Sequence, residues 1–326
     1  MIFMGREFLI KSEEASTIGS YPGARSIEKL LQAGIIVLDK PSGPSCRIVD
    51  SYVKKILNIE KCSHGGTLDP RVTGVLVLAL GNATKLMPIL LNSRKEYIAL
   101  MRLHKDVPEE KVRSVCNKFV GKIMQKPPKK SAVARKERER EIYYLEILEI
   151  SGRDVLMKVG CEAGTYIRKL CSDIGENLGG AHMQELRRVS SGCFDESKAV
   201  KLEDLKDAYE FWKQGNKEYI KSMLYPMEKI ADNMKVVIIK DSAVSNIANG
   251  APLGVNGICR IERGIKKGDV VGMLTLNGEF VAFGNAVIDV DKIDRRKKQI
   301  IIKTDKVLIG KDSIDIYKAV CNERKK

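Results

Sequence analysis

The stretch His64-Gly65-Gly66-Thr67-Leu68-Asp69-Pro70-Arg71-Val72-Thr73-Gly74 is where residue types and spacing point most directly to chemistry. Its one carboxylate, Asp69, lies between glycine turns and a proline, just ahead of the apolar run Val75 to Leu80. A carboxylate fixed there could attack or stabilise an electron-poor carbon, or act as a base. Asp before Pro is also a common turn starter, so these residues alone leave an ordinary turn open. Metal chemistry has less to draw on. The eight cysteines (46, 62, 116, 161, 171, 193, 259, 321) never fall in a CxxC pair, and His64, His104 and His182 do not sit near them in ligand-like spacing. Structural zinc and a disulfide framework are not expected, and the thiols read as reduced, partly buried small hydrophobes.

The neighbouring elements show how such a loop would be held. Residues 34–39 form a short β-branched run stopped by Lys40-Pro41-Ser42-Gly43-Pro44, a strand and its terminal loop. From Ser45, placed to cap a first turn, Ile48, Val49, Tyr52, Val53, Ile56 and Leu57 recur at helical spacing and predict a helix to Asn58. A buried strand over 75–80 and a helix from about 83 follow. Further strands are expected over 95–103, 142–150, 153–161 and 183–194, and helices over 108–119, 165–177 and 202–212. Beyond about 232, short Val/Ile-rich runs are punctuated by glycines from Gly250 to Gly284, the pattern of a small closed β-barrel.

Lys and Arg number 57 against 42 Asp and Glu, a formal +15 in 326 residues, so the chain attracts polyanions, nucleic acid first and an anionic membrane second. Between 126 and 140 lie seven basic and two acidic residues, a local +5 that includes Pro127-Pro128, and an exposed basic loop is expected. The length argues against a single small binding module, and 44% hydrophobic residues argue against a disordered chain. No apolar stretch approaches what about 30 Å of bilayer demands. Met1 to Lys11 has no signal-peptide core, so an unexported protein is expected.

Five separated stretches, in matching order, resemble the TruB family of RNA pseudouridine synthases: residues 34–44 (GIIVLDKPSGP), the Asp69 loop, Lys95-Glu96-Tyr97, residues 164–170 (GTYIRKL) and Leu186-Arg187-Arg188. Within that family the chain is similar to the archaeal, dyskerin-type branch, the catalytic subunit of H/ACA RNA-guided particles. Residues 180–188 (GAHMQELRR), 241–244 and 264–269 extend the resemblance into a C-terminal domain similar to a PUA domain.

The resemblance implies an α/β (α+β) pseudouridine synthase fold, a mixed and mostly antiparallel sheet flanked by helices, plus a C-terminal PUA-like β-barrel. It divides the chain into an extension over 1–24 that packs on the PUA-like domain, a catalytic domain over 25–232, a PUA-like domain over 233–312 and a basic tail over 313–326. Asp69 is then the catalytic aspartate, kept ionised in a water-excluding pocket by Arg168, and Tyr97 offers a π-face and a phenol. Tyr166, Leu186 and His64 would contact the flipped-out uridine. Residues 126–140 match a thumb loop, so Lys129, Lys130 and Arg135, with Lys40 and, in the barrel, Lys266 and Lys267, are expected to bind RNA; Lys40 with Pro41 and Gly43 also matches the family's first motif, which shapes the fold near the site and is mainly structural. Residues 45–47 depart from the family pattern, where relatives often carry Thr-Ser and His.

The implied reaction is isomerisation of uridine with no metal, nucleotide or redox cofactor. The implied substrates are ribosomal RNA chosen by an H/ACA guide RNA, and also the uridine of the transfer RNA TΨC arm. Expected partners are a small zinc-bearing subunit, a glycine/arginine-rich-type subunit and, through the RNA, a kink-turn binding protein. The location would be the archaeal cytoplasm, or the nucleolus in a eukaryote. A stand-alone transfer-RNA pseudouridine synthase and a non-catalytic RNA-binding scaffold are the alternatives.

Overall fold

The structure, a computed structural model, describes residues 5–10, 19–126, 136–294 and 297–310. The chain begins with β1 (Phe8–Ile10), α1 (Ile27–Ala33), β2 (Gly34–Lys40), α2 (Cys46–Leu57), β3 (Cys62–His64), β4 (Thr73–Leu80), α3 (Met87–Asn92), β5 (Lys95–Leu103) and α4 (Glu109–Asn117). It continues through β6 (Gly121–Gln125), β7 (Arg138–Ser151), β8 (Asp154–Cys161), α5 (Ile167–Glu176), β9 (Ala181–Ser191), β10 (Phe194–Asp195), α6 (Leu202–Lys213), α7 (Glu218–Met223) and β11 (Tyr225–Pro226). After a 3-10 stretch, Met227–Asn233, come β12 (Lys235–Ile239), α8 (Asp241–Ala248), β13 (Leu253–Gly254), β14 (Ile258–Glu262), β15 (Val270–Leu274), β16 (Phe280–Ala286) and β17 (Ile300–Val307).

Ten strands make the first sheet in the order β11-β2-β4-β9-β5-β8-β7-β6, with β3 added beside β4 and β10 beside β9. Only β4 and β9 pair in parallel; the other pairings are antiparallel. Seven strands make the second sheet, ordered β1-β14-β12-β15-β16-β17-β13 around a core of its own that includes α8. The N-terminal strand β1 thus covers the edge of β14, where unpaired backbone groups would otherwise stand open.

The unbroken apolar run of β4 has a direct physical reason, because a strand without alternation needs cover on both faces. Leu76, Leu78 and Leu80 turn into a core shared with the helices, and Val75, Val77 and Ala79 into another shared with the second sheet. β2 divides likewise, Ile36 and Leu38 against Ile35 and Val37. From the C-terminal domain, Val236, Leu274, Phe280, Phe283 and Leu308 complete the shared core. β5 instead alternates buried and half-buried residues.

Ser45 caps α2 by accepting from the Ile48 N–H at 3.4 Å, and Asn58 ends it in the left-handed region at φ 49°. The buried stripe of α2 is Cys46, Val49, Val53 and Leu57, whereas Ile48 and Tyr52, placed by spacing on an apolar face, are exposed. The helix expected from 83 is a 3-10 turn, Gly81–Leu86, that becomes α helical only at Met87, beside Pro88. The strand expected over 183–194 ends at Ser191, turns at Gly192 and folds back as β10. β3 lies in the glycine-rich, polar stretch that reads as the Asp69 loop, β6 forms where no element is expected, and Arg138 to Arg140 of the expected basic loop belong to β7.

Five of the seven described cysteines are buried. Burial pushes the Cys62, Cys161 and Cys171 thiols up to about 12. Among the described residues no group of three His, Cys, Asp or Glu could hold a metal ion, and no helix is long and apolar enough to cross a membrane.

A buried ion pair locks the two sheets together. Arg25 donates to both carboxylate oxygens of Glu228, at 2.8 and 2.6 Å, and Glu228 also accepts from the Phe280 N–H at 3.0 Å. Arg6 donates to the carbonyls of Ala231 and Met234 and pairs with Glu262. Removing one member of a buried pair strands the other charge. Arg25→Met should lower the unfolding free energy by about 3–5 kcal/mol in denaturant titrations; a loss under about 1 kcal/mol would mean that the pair is not the lock.

Candidate active site

The Asp69 loop is fixed from below through its own backbone. Lys40, fully buried, donates from Nζ to the carbonyls of Pro41 (2.8 Å), Pro70 (2.8 Å) and Val72 (3.0 Å). Arg188, also buried, donates from Nη2 to Gly66 (3.0 Å) and from Nε to Val75 (2.7 Å). The Leu68 N–H donates to Cys46 Sγ at 3.1 Å, and the Gly43 and Gly65 N–H groups bond to Pro70 and Val77. Gly74, at φ 98°, has no room for a side chain: a Cβ there would stand 2.2 Å from the Arg188 carbonyl, at the point where β4 meets β9 in parallel. Asp69 sits at the tip, its carbonyl accepting from the Val72 N–H at 3.0 Å.

One expectation is revised here. Lys40 is not an RNA-contacting lysine, because its ammonium is out of reach of solvent and spent on three carbonyls. Residues 45–47, which depart from the family pattern, have structural work at two positions: Ser45 caps α2 and Cys46 holds Leu68.

Arg168 comes from the first turn of α5 and pairs with Asp69, two residues 99 positions apart in the chain. Their side chains are 52% and 53% exposed, so the pair stands in an open site and not in the water-excluding pocket expected from sequence. A cavity of about 420 Å³ lies elsewhere, between the two sheets; Leu90, Ser191, Phe194, Ile230 and Phe283 help line it, and no residue of the Asp69 loop or of α5 does.

Behind the loop, β5 and β9 place Tyr97 opposite Arg188 and Ala99 opposite Leu186. Tyr97 is buried, which pushes its phenol up, while Arg188 pulls the other way by charge and by a hydrogen bond to it. Leu186 is half-buried at the edge of the same core. Buried Lys95 donates to the Leu90, Leu91 and Ser93 carbonyls and to Ser93 Oγ. Burial first, then the Arg188 charge, pushes its ammonium down to about 7. His64 Nδ1 lies 2.7 Å from an Asp50 carboxylate oxygen and Nε2 3.2 Å from Thr67 Oγ1, so both ring nitrogens are already engaged. Tyr166 is the N-cap residue just ahead of α5, makes no side-chain capping bond, and has its backbone held by Gln125.

Lys266 and Lys267 are exposed on a turn of the second sheet, where Asp269 and Asp289 accept from their backbone N–H groups. Lys129, Lys130 and Arg135 lie outside the described residues. Asp50, Gln125 and the inward role of Arg188 went unread. Strand alternation carried a signal for the last, since it puts Arg188 on the face of Leu186 and sends Arg187 to the other, where it meets Asp39 at 2.9 Å.

Comparison with known proteins places this arrangement among RNA-modifying isomerases. The TruB family pseudouridylate synthase N-terminal domain matches residues 54–110 and 104–167, and the tRNA pseudouridylate synthase B C-terminal domain matches 168–231. A PUA domain matches 235–308 and a DKCLD domain 6–49. The chain is 50% identical to "Probable tRNA pseudouridine synthase B" of Pyrococcus abyssi over 94% of both chains, and 48% identical to its namesake in Methanocaldococcus jannaschii over 94% and 93%. Among solved structures it is similar to a chain of a Cbf5-Nop10-Gar1 complex, with a TM-score of 0.90, 48% identity and coverage of 96% of this chain and 97% of that one. It is also similar to a chain of an H/ACA RNP bound to a substrate RNA containing 2′-deoxyuridine, with a TM-score of 0.88, 47% identity and coverage of 96% and 97%. The chain belongs to the TruB family of pseudouridine synthases.

If the backbone cage positions Asp69, then Lys40→Met, which leaves three carbonyls unpaired, should cost about 3 kcal/mol or more of stability. RNA affinity of the folded protein should stay unchanged in filter binding; a drop in affinity without loss of stability would return Lys40 to the RNA interface.

Proposed function

We propose that the chain isomerises uridine to pseudouridine as the catalytic subunit of a guide-RNA particle, with Asp69 as the anion beside the ribose. The pairing of Asp69 with Arg168 carries this reading. In the reaction the N1–C1′ bond breaks, the uracil turns while held, and C5 bonds to C1′; C5 releases a proton and N1 gains one, so atoms balance within the nucleotide. A carboxylate suits the first step because it can add to or stabilise the electron-poor carbon and later leave. The planar guanidinium of Arg168 orients it. The Tyr97 phenol, beside the Arg188 charge, serves proton movement at C5, accepting the C5 proton on oxygen as its own O–H proton passes on through solvent to N1, and its ring packs the base with Leu186. Tyr166 lines the site beside Arg168, and His64 supports the everted nucleotide from the loop. The target must leave its stack to get there, at a few kcal/mol.

Guide pairing then selects the uridine, and the protein reads backbone and shape. Support comes from the similarity, over nearly the whole chain, to solved structures of Cbf5 with Nop10 and Gar1, and of an H/ACA RNP with substrate RNA. That likeness supports a guide RNA and two small subunits as partners, proposed to be the zinc-bearing and glycine/arginine-rich types; a kink-turn binding protein is proposed to join through the RNA. Lys266 and Lys267, with Lys129, Lys130 and Arg135, supply phosphate contacts that weaken as salt rises. The name shared by the relatives supports transfer RNA as a second substrate.

Reconstitution with guide RNA and partners tests this. Asp69→Asn should lower pseudouridine formation by more than about 1,000-fold while RNA affinity holds within about threefold; turnover by that variant would refute the assignment. Tyr97→Phe should slow product formation by about 100-fold or more at unchanged affinity, and a parent rate would remove the phenol from the chemistry.

A further inference from the structure

Arg168 reaches Asp69 from a helix whose start is tied to a different part of the molecule. Tyr166, the N-cap residue just ahead of α5, makes no side-chain capping bond. Its backbone is gripped instead by Gln125, the last residue of β6: the Tyr166 N–H donates to Gln125 Oε1 at 2.9 Å, and Gln125 Nε2 donates to the Tyr166 carbonyl at 3.2 Å. The Gln125 residue is 2% exposed, so water cannot replace those two bonds. Gln125 in turn pairs with Arg138, the last β6–β7 pair before the connecting segment.

The same hairpin holds the turn just before α5. The Glu162 N–H donates to the Glu141 carbonyl at 2.9 Å, and the Glu141 N–H to a Glu162 carboxylate oxygen at 3.2 Å. Arg140 lies over Gly164, with Nη2 3.2 Å from where a Cβ would stand. The guanidinium of Arg168, two residues beyond Tyr166, is half exposed and meets Asp69 from this platform.

We infer that Gln125 is a positioning residue for the reaction: by clamping the Tyr166 peptide, it makes the β6–β7 hairpin, and not the Asp69 loop, set where Arg168 stands. The inference rests on the reading of Asp69 and Arg168 as the catalytic pair. Small displacements of a catalytic partner are costly to rate, whereas an ordinary structural hydrogen bond affects stability and leaves the rate of folded protein alone.

Single-turnover pseudouridine formation by the full chain assembled with guide RNA and partners decides it, for the parent, Gln125→Leu, Gln125→Glu, Arg168→Lys and the double variant Gln125→Leu/Arg168→Lys. Gln125→Leu should be on the order of 10- to 100-fold slower, with RNA affinity within about twofold. Gln125→Glu keeps the acceptor for the Tyr166 N–H and should retain more of the rate. In the Arg168→Lys background the Gln125→Leu change should cost less than about threefold, because the residue it positions is already altered. A parent rate for Gln125→Leu, or an equal loss in both backgrounds, overturns the inference. Should Gln125→Leu fail to unfold cooperatively, Gln125→Glu in the two backgrounds makes the same comparison. An active Asp69→Asn would sink the catalytic reading itself; an inactive Asp69→Asn beside a parent-rate Gln125→Leu would sink only the role of Gln125.

Discussion

A reactive carboxylate is useful only if the loop beneath it cannot move, and here the loop is held by buried cations bonded to peptide carbonyls. Lys40 and Arg188 bind the carbonyls of Gly66, Pro70, Val72 and Val75, and neither forms an ion pair with a carboxylate among the described residues. Burying a charge without satisfying it would be prohibitive, so the loop stabilises the cations as much as they stabilise the loop. The positive field is not cancelled. In the proposed reaction the Arg188 charge beside Tyr97 favours negative charge developing on a uracil as it detaches, the kind of fixed electrostatics that needs no reorganisation during reaction.

Much of this was legible in the chain because the signals are local. β-branched runs, the Ser45 cap, the glycine before β4 and the order of five motifs all belong to short stretches. What escaped depends on distance in space. The motif of Lys40 reads as one that shapes the fold, but which groups its ammonium meets depends on the returning Pro70 and Val72 carbonyls, 30 and 32 positions on. Gln125 closes a run with no helical or strand signature, and nothing local links it to Tyr166, 41 positions away. β3 and β6 were missed for a similar reason, since their neighbours in the sheet supply the order that their own composition lacks.

The openness of the Asp69–Arg168 pair also separates what the protein provides from what the RNA must bring. The chain supplies orientation, charge and a backing of Tyr97 and Leu186, while both members of the pair remain wetted in the free protein. Exclusion of water, which strengthens every charge interaction in a site, therefore has to come with the everted nucleotide and the strand that delivers it.

The apolar underside of β2 and β4 has a practical corollary for anyone dissecting the molecule. Val75, Val77, Ala79 and Phe194 face Leu274, Phe280 and Phe283 across the shared core, so excising the C-terminal part would leave a broad greasy surface wet on each fragment. The two parts are halves of one solubility unit, and a shortened version of this enzyme would precipitate before it lost its chemistry.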